Sequence, residues 1–365
     1  MNRIKCVICN SIKIDFFYSM REFPLLTIPT ENSTESDVLV DLNYTICNEC
    51  HCVQLTNLLD PAILYSSPNK SSLTPLWITH HNTFVEFIMK NHDINHRICE
   101  LGGANNPLVD YFTVKPQNYS VLDLFIPNKK RSDIEYITGN IEEYRDYKEN
   151  TLILSHTFEH LYNPSCFFKA VSESNVKSIF ISVPNMRAML DKKTSVSIVF
   201  SEHTFYFEKE DIEYMAALYG FECKSFNKFQ DHSLFFFLTR NNIIKKELHR
   251  KNEAKLLLTE HFYSKEEKIR RIKLDRETYI MPSHYIGQMI YHFIENKEKI
   301  LGFLDNDKNK TERRLYGTPC LTYEPTILSG KENAHVLLIN NSYQEEMICQ
   351  LKSINPNMKI TVTDI

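Results

Sequence analysis

The chain has 365 residues, enough for two or three domains. Its formal net charge is −4, so no basic field points to nucleic acid, and no apolar run reaches the roughly 18 residues that a membrane span needs. The opening MNRIKCVICN lacks the apolar core of a signal peptide, and ten cysteines spread along the chain fit a reducing cytoplasm better than a disulfide scaffold.

In chain order the first feature is a pair of Cys-x-x-Cys turns, Cys6/Cys9 and Cys47/Cys50. Each turn presents two sulfurs on one side, and together they supply the four soft ligands of a tetrahedral, structural zinc site. Cys52 lies past the second turn in the apolar run CVQLTNLL and is expected to be a core residue. Residues 1–60 thus read as a small zinc-binding domain that needs its metal to fold. Residues 1–60 also carry no basic face, which excludes a nucleic-acid-binding zinc ribbon.

Residues 61–240 open with a Ser-rich turn and an apolar-periodic helix, LWITHHNTFVEFIMKNH. Strands and helices then alternate: RICELGG, NYSVLDLF, TLILSHTF and SIFISVPN, closed by ECKSFNKF and SLFFFLTR. That alternation predicts an α/β, doubly wound, mostly parallel sheet. Residues 241–276 read as a charged helical connector with one apolar stripe and solvated charges. Residues 277–365 read as a C-terminal βαβ domain.

Glycine is scarce, 8 in 365, against a usual share of about 7%. A turn that needs glycine can therefore sit at few places, and one is Glu100-Leu101-Gly102-Gly103, between a strand and a helix. A strand ending in an acid and then glycine is how class I methyltransferases hold S-adenosylmethionine (SAM). Asp123, about twenty residues on, ends the next strand, where a carboxylate accepts ribose hydroxyls. Asn140, after YITG, stands where an amide meets adenine, and His156 opens the segment that lines the cleft. Glu159 and His160 read as a capping acid and a partly buried imidazole. Further on, Glu202-His203 follows the Val183-Pro184-Asn185 turn at the carboxyl end of the sheet. There an imidazole can act as a base and the adjacent carboxylate can raise and orient it.

Taken together these motifs resemble the sugar C-methyltransferases that act on nucleotide-linked keto-deoxysugars. The resemblance runs over essentially the whole chain: C-x-x-C…C-x-x-C-x-x-V-Q-L, E-L-G, H-T-F-E-H at 156–160, V-P-N, and E-H-x-x-Y-F at 202–207. It implies a structural zinc, SAM in a central class I methyltransferase domain, a C-terminal Rossmann-like domain, and a small-molecule nucleotide-sugar substrate between domains. It further implies His203 as the base that removes the proton beside the sugar ketone, with Glu202 orienting it or contacting the sugar. The chain departs from the family's pattern at Ser67, Asn69 and Phe200, where tyrosines are usual. Ser71, Ser72 and Tyr206 are left as donors to the enolate. Ala104 and Asn106 alter the cofactor turn, and Pro282-Ser283-His284 replaces a glycine-rich turn, so no dinucleotide is expected there. These departures keep a second reading open, a catalytically diverged relative that binds a sugar nucleotide or a partner in glycan biosynthesis.

Overall fold

The computed structural model describes residues 2–65, 74–91, 97–192, 198–241, 245–340, 344–363 and 365. The first unit is a three-stranded antiparallel sheet of β1 (Ile14–Pro24), β3 (Leu39–Cys47) and β4 (Val53–Leu55), in the order β1-β3-β4, while the short β2 (Pro29–Thr30) pairs antiparallel with β14 (Arg314–Leu315). The two cysteine turns close on themselves: Asn10 N donates to Cys6 O and His51 N to Cys47 O, with Asn10 and His51 both in the left-handed region.

The central sheet has seven strands: β5 (Ile98–Leu101), β6 (Tyr119–Asp123), β7 (Glu135–Thr138), β8 (Thr151–Ser155), β9 (Ser178–Pro184), β10 (Phe221–Phe229) and β11 (Ser233–Arg240). Their order is β10-β11-β9-β8-β5-β6-β7, and β11 alone runs antiparallel to its neighbours. This is a doubly wound, Rossmann-like sheet. Strands buried on both faces need unbroken apolar runs at their centres, which Leu152–Leu154 of β8 and Ile179–Ile181 of β9 provide. Along β8, Leu152 and Leu154 join the core that holds Phe167, Phe168, Ile212 and Met215, from α3 (Pro164–Ser172) and α5 (Lys209–Leu218). Ile153, pointing the other way, joins Phe84, Val85 and Ile88 of α2 (Pro75–Asn91).

The C-terminal sheet is parallel throughout: β12 (Thr278–Met281), β13 (Ile300–Leu304), β15 (Thr322–Tyr323), β16 (His335–Ile339) and β17 (Lys359–Thr363), in the order β15-β13-β12-β16-β17. Its first turn is filled from within. Lys310 donates to Ser283 O and Asp305 Oδ2, while Ser283 N donates to the same Asp305 oxygen. The turn at Leu315–Thr318 clamps the N-terminal unit, since Arg314 forms a two-pronged ion pair with Asp37 (both 2.6 Å) and Gly317 N donates to Asp37 Oδ2.

The connector differs from the sequence reading. Its helix, α6, spans Asn252–Arg271, and its buried stripe is Ala254, Leu258, Phe262, Lys265 and Ile269, a lysine among apolar residues. Lys251, just before it, is fully buried and donates to Asp211 at 2.8 Å. Two of the connector's charges are therefore inside, because α6 is a seam between units: Phe262 packs edge-on to Phe17 and tilted against Tyr18 and Tyr44.

Candidate functional site

The four sulfurs of Cys6, Cys9, Cys47 and Cys50 lie within 4.8 Å of one another, with Cys6–Cys50 and Cys9–Cys47 each 3.5 Å apart. A tetrahedron with Zn–S bonds of about 2.3 Å requires sulfur separations of about 3.8 Å, so the cluster has the size and the chemistry for zinc. Cys52 points away, its Sγ 3.3 Å from Tyr206 O.

The carboxyl edge of the central sheet gathers the residues expected at a cofactor. Glu100 itself faces inward. It is fully buried, accepts from Leu108 N (2.9 Å) and Tyr119 Oη (2.7 Å), and burial pushes its carboxyl up to about 8. Gly103 lies directly over that carboxyl: a Cβ there would stand 2.2 Å from Glu100 Cδ. Gly102 has φ +81°, and its Cβ would stand 2.6 Å from Thr157 Oγ1. Protein neighbours thus account for both glycines. Ala104 turns its methyl into the core beneath α2, so it does not crowd the crevice, whereas Asn106 is exposed.

Asp123 ends β6, half-buried, accepting from Ala104 N (3.1 Å) and Phe125 N (3.2 Å), and burial raises its pKa. Asn140 closes its own turn by accepting from Glu142 N (3.0 Å). At the end of β8 the buried Ser155 Oγ has no hydrogen-bond partner. His156 follows with φ +50°; its Nδ1 is 3.1 Å from Glu159 Oε1 and its Nε2 2.9 Å from Ser233 Oγ.

Around His203 the structure rearranges the expected roles. Its closest charged company is Glu159 and His160: one ligand atom of each residue falls within 4.8 Å of the others, and the His160 and His203 rings are 5.0 Å apart. Glu159 is completely buried and caps nothing; both of its oxygens lack a hydrogen bond of good geometry. Burial opposes its charge, yet the contact with His156 and the nearby His160 and His203 hold its pKa below the usual carboxylate range. Burial drives His203 down to about 3, His160 adding to the fall and Glu159 opposing it. The carboxylate that raises His203 is therefore Glu159, brought in by the fold, and not the adjacent Glu202. Burial raises Glu202's own pKa, partly offset by His160. Sequence adjacency fails here because Glu202 and His203 lie in a bent loop, where the path of the backbone and not the spacing sets which groups each side chain meets.

Tyr206 is corrected as well. Its hydroxyl is buried and donates to Glu208 Oε1 (2.8 Å), in a network with Arg187 and His249. Ser67, Asn69, Ser71 and Ser72 lie outside the described residues. Phe200 packs on the His203 ring (4.8 Å) and on Tyr285 of the C-terminal unit (5.3 Å). The phenol that sequence reasoning missed is Tyr65, whose Oη is 3.0 Å from His160 Nδ1. It lies close enough to Glu202, Glu159 and Asp123 for their charges to raise its pKa further, after burial. The signal available was a tyrosine just past the Asp60-capped helical turn Pro61–Leu64.

The N-terminal four-cysteine unit holds this site directly. Leu55 N donates to Thr204 O and Tyr206 N to Val53 O, both 2.8 Å, so β4 forms a short ladder with the segment after His203. Buried Arg3 stitches the seam, donating to Leu55 O, Thr204 O, Tyr162 O and Thr204 Oγ1. The Val53-Gln54-Leu55 and Glu202–Phe207 motifs are two sides of one contact.

No family model and no curated protein matches the sequence. Among solved structures, a SAM-dependent methyltransferase from Mesorhizobium loti is 10% identical, with TM-score 0.34, covering 45% of this chain and 97% of its own. Magnesium protoporphyrin IX methyltransferase from Synechocystis PCC 6803, with bound SAH, is 12% identical, with TM-score 0.34, covering 47% and 90%. The 1,6-didemethyltoxoflavin-N1-methyltransferase of Burkholderia thailandensis is 9% identical, with TM-score 0.33, covering 48% and 95%.

Proposed function

We propose that this chain is a SAM-dependent methyltransferase that methylates a carbon of a nucleotide-linked keto-deoxysugar. The observation that carries the reading is the convergence, at the carboxyl edge of a class I methyltransferase sheet, of Asp123 with the Tyr65–His160–His203–Glu159 cluster. Ligands of open α/β sheets bind at that edge. The residues fit the cofactor: Asp123 keeps carboxylate lone pairs beyond its two loop bonds for ribose hydroxyls, and the orphaned Ser155 hydroxyl marks a polar crevice. Gly102, Gly103 and Asn140 shape the crevice around it, and the four-cysteine cluster fits a structural zinc. Bound SAM supplies an electrophilic methyl group.

The chain's own residues would make the acceptor carbon nucleophilic. His203, neutral because it is buried, takes the proton beside the ketone; the electron pair stays behind as an enolate, and Glu159 offsets the imidazolium. Tyr65, linked to His160, is the donor available to the developing oxyanion, in the role assigned to tyrosines in the resembling family. Glu202, half-buried on the same loop, is a sugar contact.

Calorimetry with SAM tests the cofactor, and Asp123→Ala should weaken binding at least about tenfold. Solvent-deuterium exchange into the keto sugar tests the base: His203→Gln should slow exchange and turnover by about 10²–10⁴ while SAM affinity holds. The low basicity of His203 favours the alternative, a diverged relative that binds without turnover. SAM binding with no exchange in the wild type would establish that alternative, and no SAM binding up to millimolar concentration would sink the methyltransferase reading.

A further inference from the structure

We propose that His80, His156 and His232 form a second metal site, for a first-row divalent cation such as Zn²⁺ or Co²⁺, separate from the cysteine cluster. The three imidazoles come from unconnected elements: α2, the turn after β8, and the turn between β10 and β11. One ring nitrogen from each lies within 4.8 Å of the other two. The ring centroids form a near-equilateral triangle with sides of 5.0, 5.7 and 5.5 Å. A tetrahedral ion with metal–nitrogen bonds of about 2.1 Å needs ligand nitrogens about 3.4 Å apart, so only small side-chain adjustments separate this triangle from a coordinating one.

His80 meets Ser182 Oγ through Nε2 (2.8 Å) and His81 Nδ1 through Nδ1 (3.3 Å), a contact it would give up to turn a nitrogen to the ion, while the surroundings of His156 and His232 suit a cation. His156 is held at φ +50°, a conformation uncommon for a residue other than glycine and frequent where side chains are aimed at a site. Its Nδ1 faces Glu159 Oε1 at 3.1 Å, the carboxylate–histidine pairing that fixes the tautomer and directs Nε2 inward. Glu159 is fully buried, so this carboxylate faces His156 away from water. Ser233 Oγ sits 2.9 Å from His156 Nε2 and 2.6 Å from His232 Nδ1. One hydroxyl proton can serve only one of those nitrogens, and the oxygen occupies the place of an oxygen ligand. Trp77 walls the other side, its ring 4.7 Å from His156 and 5.0 Å from His232. Three imidazoles with an oxygen suit zinc, cobalt, nickel or copper rather than magnesium or calcium.

Cobalt substitution of the full-length protein separates the two sites. The cysteine site gives a thiolate-to-cobalt charge-transfer band; the histidine site adds metal and ligand-field absorption without that band. Two cobalt ions per chain are expected in the wild type. His232→Ala and His80→Ala should each bind one, with the charge-transfer band intact, the band doubling as evidence that the variant is folded. His81→Ala, whose ring adjoins His80 but lies outside the triangle, should keep both. A wild type that takes up only the thiolate-bound equivalent at millimolar cobalt overturns the proposal, as does His232→Ala retaining the second ion.

Discussion

Arg3→Ala tests whether the N-terminal four-cysteine unit holds the His203 loop through a specific seam. Arg3 is buried and donates four hydrogen bonds across it, at 3.1, 2.7, 2.7 and 2.8 Å. Thr204 O keeps its bond from Leu55 N, so the loss falls mainly on the Leu55 and Tyr162 carbonyls. Each buried carbonyl without a donor costs roughly 1–3 kcal/mol. Burial already lowers the Arg3 pKa to about 10, which signals a desolvation cost that truncation removes. The net is about 3 kcal/mol, or about a hundredfold in the constant for local opening. Native-state hydrogen exchange reads this at Leu55 N and Tyr206 N, which bridge the seam. Their protection should fall about a hundredfold, with amides of β16 unchanged. Lys13→Ala, which breaks an exposed pair with Glu49, is the control and should leave both amides as they are. Unchanged protection at Leu55 and Tyr206 in Arg3→Ala would refute the seam, and a uniform drop across all three sheets would show global destabilisation instead.

Cys47→Ser should release the cysteine-site metal and, through β4, loosen the Tyr206 amide; metal retained in that variant, or lost from Cys52→Ser instead, rejects the ligand set. Gly103→Ala must displace the buried Glu100 carboxyl and should destabilise by about 1–3 kcal/mol, read as a lower urea midpoint. Glu100 also carries a pH dependence. Its folded pKa of about 8 exceeds the ordinary 4.5, so its contribution is fully present below 4.5 and is lost as pH rises through 8. Glu100→Gln should flatten the stability–pH curve across that window, by about a few kcal/mol at the alkaline end; an unaltered slope would mean that Glu100 is ionised in the folded protein.

The sequence alone determined what is local and periodic. The two Cys-x-x-Cys turns, the apolar runs of β5, β6, β8 and β9, and the existence of a closing pair β10–β11 were legible because strand burial and thiolate spacing are written over a few residues, whereas the reversal of β11 was not. Gly102 and Gly103 were legible as a turn, but their reasons, Thr157 and the Glu100 carboxyl, come from other strands or from an inward side chain. The tertiary structure alone decided which charges meet. Glu159 faces His203 although 44 positions separate them in sequence, while Glu202, one position away, does not play that part. His80, His156 and His232 meet because a helix, a strand end and a hairpin turn converge on one edge of the sheet. Lys251 and Lys265 read as surface charge and are buried, because α6 is packed between units and not laid on one. Burial and electrostatic company depend on distances through space, which periodicity along the chain does not encode.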